Sequence, residues 1–434
     1  MSDPARDGVI EELPASTDVL VIGGGIAGVT TAYYLALAGV PVVLCEKGKV
    51  AAEQSSRNWG WIRKQGRKPA EIPAMIQSLR LWEEIANKVG EDIGWKMGGV
   101  TFVAETDGDL AGFEDWLPHA KDHQMDSRML SIDEVDRLLR QDTRRFRGGM
   151  ITPSDARAEP SKAVPAIARA ARDHGAIILE QCAVRTLEKS GGKVSAAATE
   201  KGPIACKTVV LAGGAWSAMM LGHLDIDFPQ LMVKASVQRT TPAPLITESA
   251  VKSAGAAFRR RADGGYTMAR AGASTFHITP ASLRHFKLFW PALKREYGQI
   301  KLRFGQPFFD EFLRSLDWHA DQQTPFELIR TLSPAPDNDL LDMVTACAVN
   351  LYPQLKDAKP VERWAGMIDV TPDESPVLGP VAGLEGLLVA TGFSGHGFGF
   401  GPAAGHATAA LAQGQTPLFD LNDFLFERFA KKTH

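Results

Sequence analysis

The segment Thr17-Asp18-Val19-Leu20-Val21-Ile22-Gly23-Gly24-Gly25-Ile26-Ala27-Gly28 decides the fold. A β-branched run stops at glycines that fit G-x-G-x-x-G, and a small-residue helical pattern follows over 27–38. Gly23 permits a tight turn, Gly25 lets a pyrophosphate approach the backbone, and Gly28 lets helix and strand pack closely. The helix N-terminus adds free N–H groups and partial positive charge. Gly39 ends that helix, 42–45 reads as a second buried strand, and Glu46 follows, placed to accept both hydroxyls of an adenosine ribose. No arginine stands beside Glu46, which disfavours a 2′-phosphate.

Working outward, 208–212 and 387–391 are further apolar runs that stop at glycine, as strands buried on both faces do. Helical patterns cover 73–89, 161–174 and 402–412. Residues 94–104 and 231–279 are β-rich, with an Asp263-Gly264-Gly265 hairpin signal before Tyr266. Residues 281–319 are helical, aromatic and basic. The expected fold is α/β: a Rossmann-like, parallel-sheet nucleotide-binding domain from 15–93, 150–224 and 356–430. Into it is inserted an α+β substrate domain with an antiparallel sheet, from 94–149 and 225–355. Residues 1–14 are expected to be a flexible tail.

Composition excludes several classes. Of 434 residues, 48 are Lys or Arg and 51 Asp or Glu, a net charge of −3, too little for a general nucleic-acid binder. The acidic start is unlike a secretory signal, and no run of about 18 apolar residues suggests a transmembrane helix. Cys45, Cys182, Cys206 and Cys347 are widely spaced, which favours reduced thiols over a disulfide framework or a metal site. A cytoplasmic protein is expected.

Three more segments carry chemistry. Gln54-Ser55-Ser56-Arg57-Asn58-Trp59-Gly60-Trp61 offers groups for phosphate and hydroxyl contacts, or is a solvated loop with two aromatics in the core. Val209-Val210-Leu211-Ala212-Gly213-Gly214-Ala215-Trp216 is a second strand-to-glycine switch, or an ordinary turn. At 391–402, glycines 392, 395, 397, 399 and 401 clear side chains from a loop that must touch something flat, and Pro402 suits the first turn of the next helix. His396 in that loop is a flavin contact, a base or a satisfied loop histidine, the first being favoured.

Together these elements resemble the D-amino-acid oxidase superfamily of FAD-dependent oxidoreductases, such as glycine oxidase, D-amino-acid dehydrogenase and sarcosine oxidase. The resemblance is carried by 23–28 with Glu46, Ser55-Ser56-Arg57, Gly213-Gly214-Ala215-Trp216, Trp364-Ala365-Gly366 with Thr371-Pro372-Asp373, and 392–401. It implies FAD contacts by Gly23, Gly25, Ile26, Ala27, Gly28, Glu46, Lys47, Ser55, Ser56, Arg57, Asn58, Val184, Ala212, Gly213, Gly214, Trp216, Gly366, Met367, Gly395, His396, Gly397, Phe398 and Gly399. Adenine would meet the backbone of Ala183 and Val184. The implied chemistry is hydride transfer from a carbon bearing an amine to flavin N5, then hydrolysis of the imine. Lys234 and His396 are the catalytic candidates, Lys234 being otherwise an ordinary strand-end lysine. Tyr266, Arg270 and Ile368 are candidate substrate contacts; the first two are equally read as one core and one exposed residue.

Two departures from the family pattern matter. No cysteine lies in 366–373, where sarcosine-type relatives attach FAD, so a noncovalent FAD is expected. Ile368 stands where glycine oxidase has a carboxylate-clamping arginine; Arg57, Arg270 or Lys234 would have to substitute. The substrate could be a D-amino acid, glycine or sarcosine, an imino acid or an opine-like amine. The electron acceptor is O2, a quinone or a partner protein. The stretch 284–304 is a helical cap or a peripheral membrane or partner-subunit contact. A hydroxy-acid oxidoreductase and a non-catalytic flavoprotein assembly factor are the competing readings.

Overall fold

The computed structural model describes residues 13–298 and 300–429, so nearly all of the tail expected over 1–14 lies outside the described residues. The opening segment forms strand Val19–Ile22 and helix Ile26–Leu37. That strand sits inside a six-stranded sheet. Its order is Val377–Pro380, Leu387–Thr391, Thr208–Leu211, Val19–Ile22, Val42–Cys45, Ile177–Leu179. All neighbours are parallel except the first pair. A parallel sheet needs cover on both faces. Helices Ile26–Leu37, Ile72–Lys88, Pro160–Asp173 and Gly397–Ala412 bury one face with Val19, Val21 and Val210. The antiparallel meander Val184–Ser190, Lys193–Thr199, Gly202–Ala205 buries the other with Leu20, Val43 and Val209.

The larger sheet has ten strands and is mixed. Most of its pairs are antiparallel, but Ala250–Lys252 runs parallel to Val100–Ala104, and Ser274–His277 parallel to Ile300–Arg303. The hairpin signal at 263–265 joins Ala257–Arg260 to Tyr266–Ala269. The expected domain limits cut across this sheet. Gly148–Thr152 straddles residue 150 and pairs with Val100–Ala104. Pro360–Val370, placed by its sequence neighbours with the nucleotide domain, pairs with Leu231–Thr240 from Leu231↔Val370 to Thr240↔Pro360. The reason is backbone hydrogen bonding: without Pro360–Val370 the long strand would present a bare edge. This strand therefore belongs to the larger sheet, while the next strand, Val377–Pro380, belongs to the smaller.

The last helix also differs from expectation. It starts at Gly397, so Gly397, Gly399 and Gly401 are helical and Pro402 lies inside rather than in the first turn. Glycine is a poor helix former, but here it allows contact. A Cβ on Gly401 would lie 2.3 Å from Ile26 Cγ1, and one on Gly405 2.1 Å from Thr30 Oγ1. Pro402 gives the helix no N–H, and carbonyls near it are served sideways: Ser78 Oγ (2.6 Å) and Trp82 Nε1 (3.2 Å) donate to Gly399 O.

Gly405→Ala should therefore destabilise the fold by roughly 1–3 kcal/mol, through overpacking against Thr30. Gly112→Ala, in helix Asp107–Asp122 with open space around it, should stabilise by about 0.5–1 kcal/mol. Urea midpoints moving in opposite directions would check both; equal shifts would remove the close-packing argument.

Candidate active site

Three strand ends in the smaller sheet open onto one groove. Gly23, Gly24 and Gly25 line it from the first turn, Glu46 and Lys47 from the second, and Ala212, Gly213 and Gly214 from the third. Gly23 has φ +109°, and a Cβ there would meet Ala212 O at 2.5 Å. Gly28 packs on Gly23 O, where a Cβ would come within 2.0 Å. These glycines serve chain crossing as well as cofactor approach. The Glu46 carboxylate accepts from Gly24 N–H (2.6 Å) and Gly48 N–H (2.7 Å), which fixes it at the groove wall. Burial raises its pKa against those two hydrogen bonds. Ser55 Oγ accepts from Ile26 N–H (2.8 Å), at a helix start whose Gly25 offers no side-chain cap. It thus marks the position an anionic oxygen can take. Ala27 is buried in that first turn.

Other expected cofactor contacts divide. Ser55, Val184, Trp216 and Met367 line the groove. The backbone of Ala183 is taken up by Glu200, with its N–H donating to Oε1 (2.6 Å) and its carbonyl accepting from Glu200 N–H (2.9 Å). Ser56 Oγ donates to Glu53 O (3.2 Å) and lines neither cavity. Asn58 closes its own loop, donating to Ser55 O (2.9 Å) and accepting from Gly60 N–H (2.8 Å). Arg57 is not free for phosphate: it donates to Ala52 O (2.9 Å), Ser333 Oγ (2.8 Å), Ala365 O (3.3 Å) and Leu332 O. Gly366 is covered by Gln54, and Gly397 by Phe393. Glu53 was missed by sequence reasoning. It joins Lys47 Nζ (2.9 Å) to Trp216 Nε1 (3.1 Å), while Lys47 lies 4.1 Å over the Trp216 ring. No motif marks it, because its partners are contributed by distant segments.

Beyond strand Pro360–Val370 lies a second cavity of about 590 Å³. Adjacent residues face opposite ways on a strand, so Met367 lines the groove and Ile368 the cavity. Gln54 lines both, and its buried Oε1 has no hydrogen-bond partner among the described residues. Gly395, His396, Phe398, Gly399 and the exposed Arg270 also line the cavity. Burial, then the nearby Arg67, lowers the His396 pKa to about 4, so its ring is neutral at pH 7. Its Nδ1 lies 3.3 Å from Glu71 Oε2. Burial opposes ionisation of Glu71, but His396, Arg67 and Lys68 hold its carboxyl down to about 2. Arg63, Arg67 and Lys252 line the same cavity, and the motif reading passed over all three.

Two expected site residues fall elsewhere. Tyr266 is fully buried in the core, its hydroxyl donating to Pro244 O (2.8 Å) and accepting from Ile246 N–H (3.0 Å). Lys234 lies across from Met367, on the strand face opposite the cavity-lining Val233 and Ala235. Its ammonium turns away to Ala335 O (2.9 Å) and lines neither cavity. Pairing puts Lys234 on the same strand face as Met367, and the hydrogen bond to Ala335 O is what draws its ammonium aside. Asp369, buried on the dividing strand, accepts from Gly392 N–H (2.7 Å) and Phe393 N–H (3.3 Å), tying the glycine loop to that strand.

The groove fits FAD. It combines a glycine cradle that side chains would fill, an acid held at the ribose position, a helix start and an orphaned amide oxygen where the two cavities meet. Segment 366–373 has no cysteine to bond it covalently. Glu46→Ala should lower the flavin-to-protein ratio of purified material severalfold; full retention would remove Glu46 from the site. Burial raises the Asp369 carboxyl to about 6, above the unfolded value near 4, so ionising it costs stability as pH rises from about 4 to 6. The amide introduced by Asp369→Asn does not titrate. The stability of wild type relative to that variant should therefore fall by about 2 kcal/mol between pH 4 and 7, measured by urea unfolding.

The model of the family "FAD dependent oxidoreductase" matches residues 18–411. L-amino acid deaminase from Proteus myxofaciens, solved with anthranilate, is 31% identical over 96% of this chain and 95% of that one, with a TM-score of 0.92. The Proteus vulgaris L-amino acid deaminase is 28% identical over 97% and 99%, with a TM-score of 0.93. Glycine oxidase of Pseudomonas aeruginosa is 24% identical over 93% of this chain and 97% of its own length. A glycine-built dinucleotide groove meeting a second cavity across one strand, and a family match over nine-tenths of the chain, place it in the FAD-dependent oxidoreductase (D-amino-acid oxidase) family.

Proposed function

We propose that this enzyme oxidises the C–N bond of an amino acid or carboxylate-bearing secondary amine seated in the large cavity. The observation that carries this reading is the junction: Gln54 is shared by groove and cavity, and the adjacent strand residues Met367 and Ile368 line one each. FAD supplies the hydride acceptor, and water hydrolyses the resulting imine. The protein's own contribution is orientation and exclusion of water. Val233, Phe276, Phe289 and Leu293 offer an apolar wall for the substrate body. Neutral His396, held beside Glu71, presents an uncharged ring to the cavity and so does not repel the substrate's ammonium. The names of the relatives, glycine oxidase, sarcosine oxidase and L-amino acid deaminase, support the same substrate class.

The second reading, electron delivery to a quinone or partner rather than O2, is favoured by one surface. Within 283–316, Phe304 (62%), Phe312 (69%) and Leu313 (79%) are exposed, and apolar side chains gathered on a surface are a mark of contact sites. No helix among the described residues is long and apolar enough to cross a membrane.

Anaerobic bleaching of the flavin by D- and L-amino acids, N-methyl amino acids, imino acids and opines tests the reaction. Bleaching by at least one class is expected; bleaching by 2-hydroxy acids alone would overturn it. Peroxide yield in air against reduction of a soluble quinone then separates the acceptors.

A further inference from the structure

One end of the cavity carries more positive charge than the protein neutralises. Arg67 is 4% exposed, yet its buried Nη1 makes no hydrogen bond among the described residues, and Glu71 Oε2 is 3.9 Å away. Its Nε donates to Arg63 O (3.2 Å). Arg63 and Lys252 lie over the same Phe102 ring, at 5.6 and 4.8 Å from its centroid. Among the described residues Lys252 has neither a hydrogen bond nor an acid within ion-pair distance. Burial lowers the pKa of all three, that of Arg67 to about 9, with neighbouring Arg63 adding to the effect.

The nearby acids are largely committed. Asp155 accepts from Lys64 and Gln65 N–H and lies 3.9 Å from Lys64 Nζ. Glu296 and Glu374, which also line the cavity, both pair with Arg295 (3.3 and 2.5 Å). His396 is neutral. Within ion-pair distance Glu71 alone reaches this group, at Arg67, and Asp155 acts on Arg63 and Arg67 from further off, so Arg63 and Lys252 have no acid paired to them among the described residues. Cations that are buried, as Arg67 is, or half-buried, as Arg63 and Lys252 are, are costly without paired anions, and a functional site is where such cost is retained.

We propose, on the basis of the reaction above, that Arg63, Arg67 and Lys252 form a subsite for two carboxylates. The preferred substrates are then amino dicarboxylates: acidic amino acids or N-carboxyalkyl amino acids. A single carboxylate would leave one cation unpaired, and a simple amine or basic amino acid would be repelled. The planar guanidinium of Arg67 suits bidentate capture, whereas Lys252 acts as a point charge.

The test is calorimetric titration of purified holoenzyme at low salt with glutarate and with butyrate, neither of which can be oxidised at a C–N bond. Glutarate is expected to bind at least about tenfold more tightly. Lys252→Met should reduce that ratio to about twofold while flavin content is retained; Arg67→Met should do the same, and a misfolded Arg67 variant leaves the Lys252 result decisive. Equal affinities in wild type, or a ratio that survives Lys252→Met, would overturn the subsite. Glutarate selectivity in a protein whose flavin no amine bleaches would sink the oxidation reading alone, and bleaching with equal affinities would sink the subsite alone.

Discussion

The contact between the first and last helices governs the geometry of everything else. Gly401 and Gly405 leave no side chain between Gly397–Ala412 and Ile26–Leu37, so the backbones meet at Ile26 and Thr30. Thr30 Oγ1 donates to Gly401 O (3.0 Å), and the Thr31 and Thr408 hydroxyls pair at 2.7 Å. Buried hydroxyls that find partners across two helices specify one register, because any slide would leave them unsatisfied. Residues almost four hundred positions apart are thereby held to within van der Waals contact. The loop carrying Gly395 and His396 enters the same helix that bears this contact, so its position relative to Gly23–Gly25 is inherited from it.

The dividing strand Pro360–Val370 does the complementary work. Its hydrogen bonds belong to the larger sheet, while Asp369 gripping the amides of Gly392 and Phe393 ties it to the smaller one. Two-residue alternation then turns one short stretch into a wall of each cavity, with Met367 toward the groove and Ile368 toward the larger cavity. The electrostatics follow from the enclosure. Glu71 is kept ionised by cations, His396 is kept neutral by burial and Arg67, and the cation corner remains under-neutralised. The cavity thus combines one uncharged histidine with one cationic end.

The parts legible from the amino-acid order were those whose constraints are local. A strand running into Gly23–Gly25 and a helix, an acid after the second strand and a hairpin at 263–265 each depend on neighbours a few residues away. The chain itself therefore determined a parallel-sheet dinucleotide fold, the cradle and Glu46 within it, and the return of the chain at 212–214. Tertiary packing decided the rest. Arg57 reads as a phosphate ligand but is consumed by backbone carbonyls at 332 and 365. Tyr266 packs in the core, and Lys234, on the same strand face as Met367, is drawn aside by its hydrogen bond to Ala335 O. Glycines at 397–401 read as loop but are helix, since close approach to Ile26 outweighs their weak propensity. Arg63 and Arg67 share one loop, but Lys252 joins them only when strand Ala250–Lys252 packs beside that loop at Phe102, a long-range arrangement that no short window of sequence can encode.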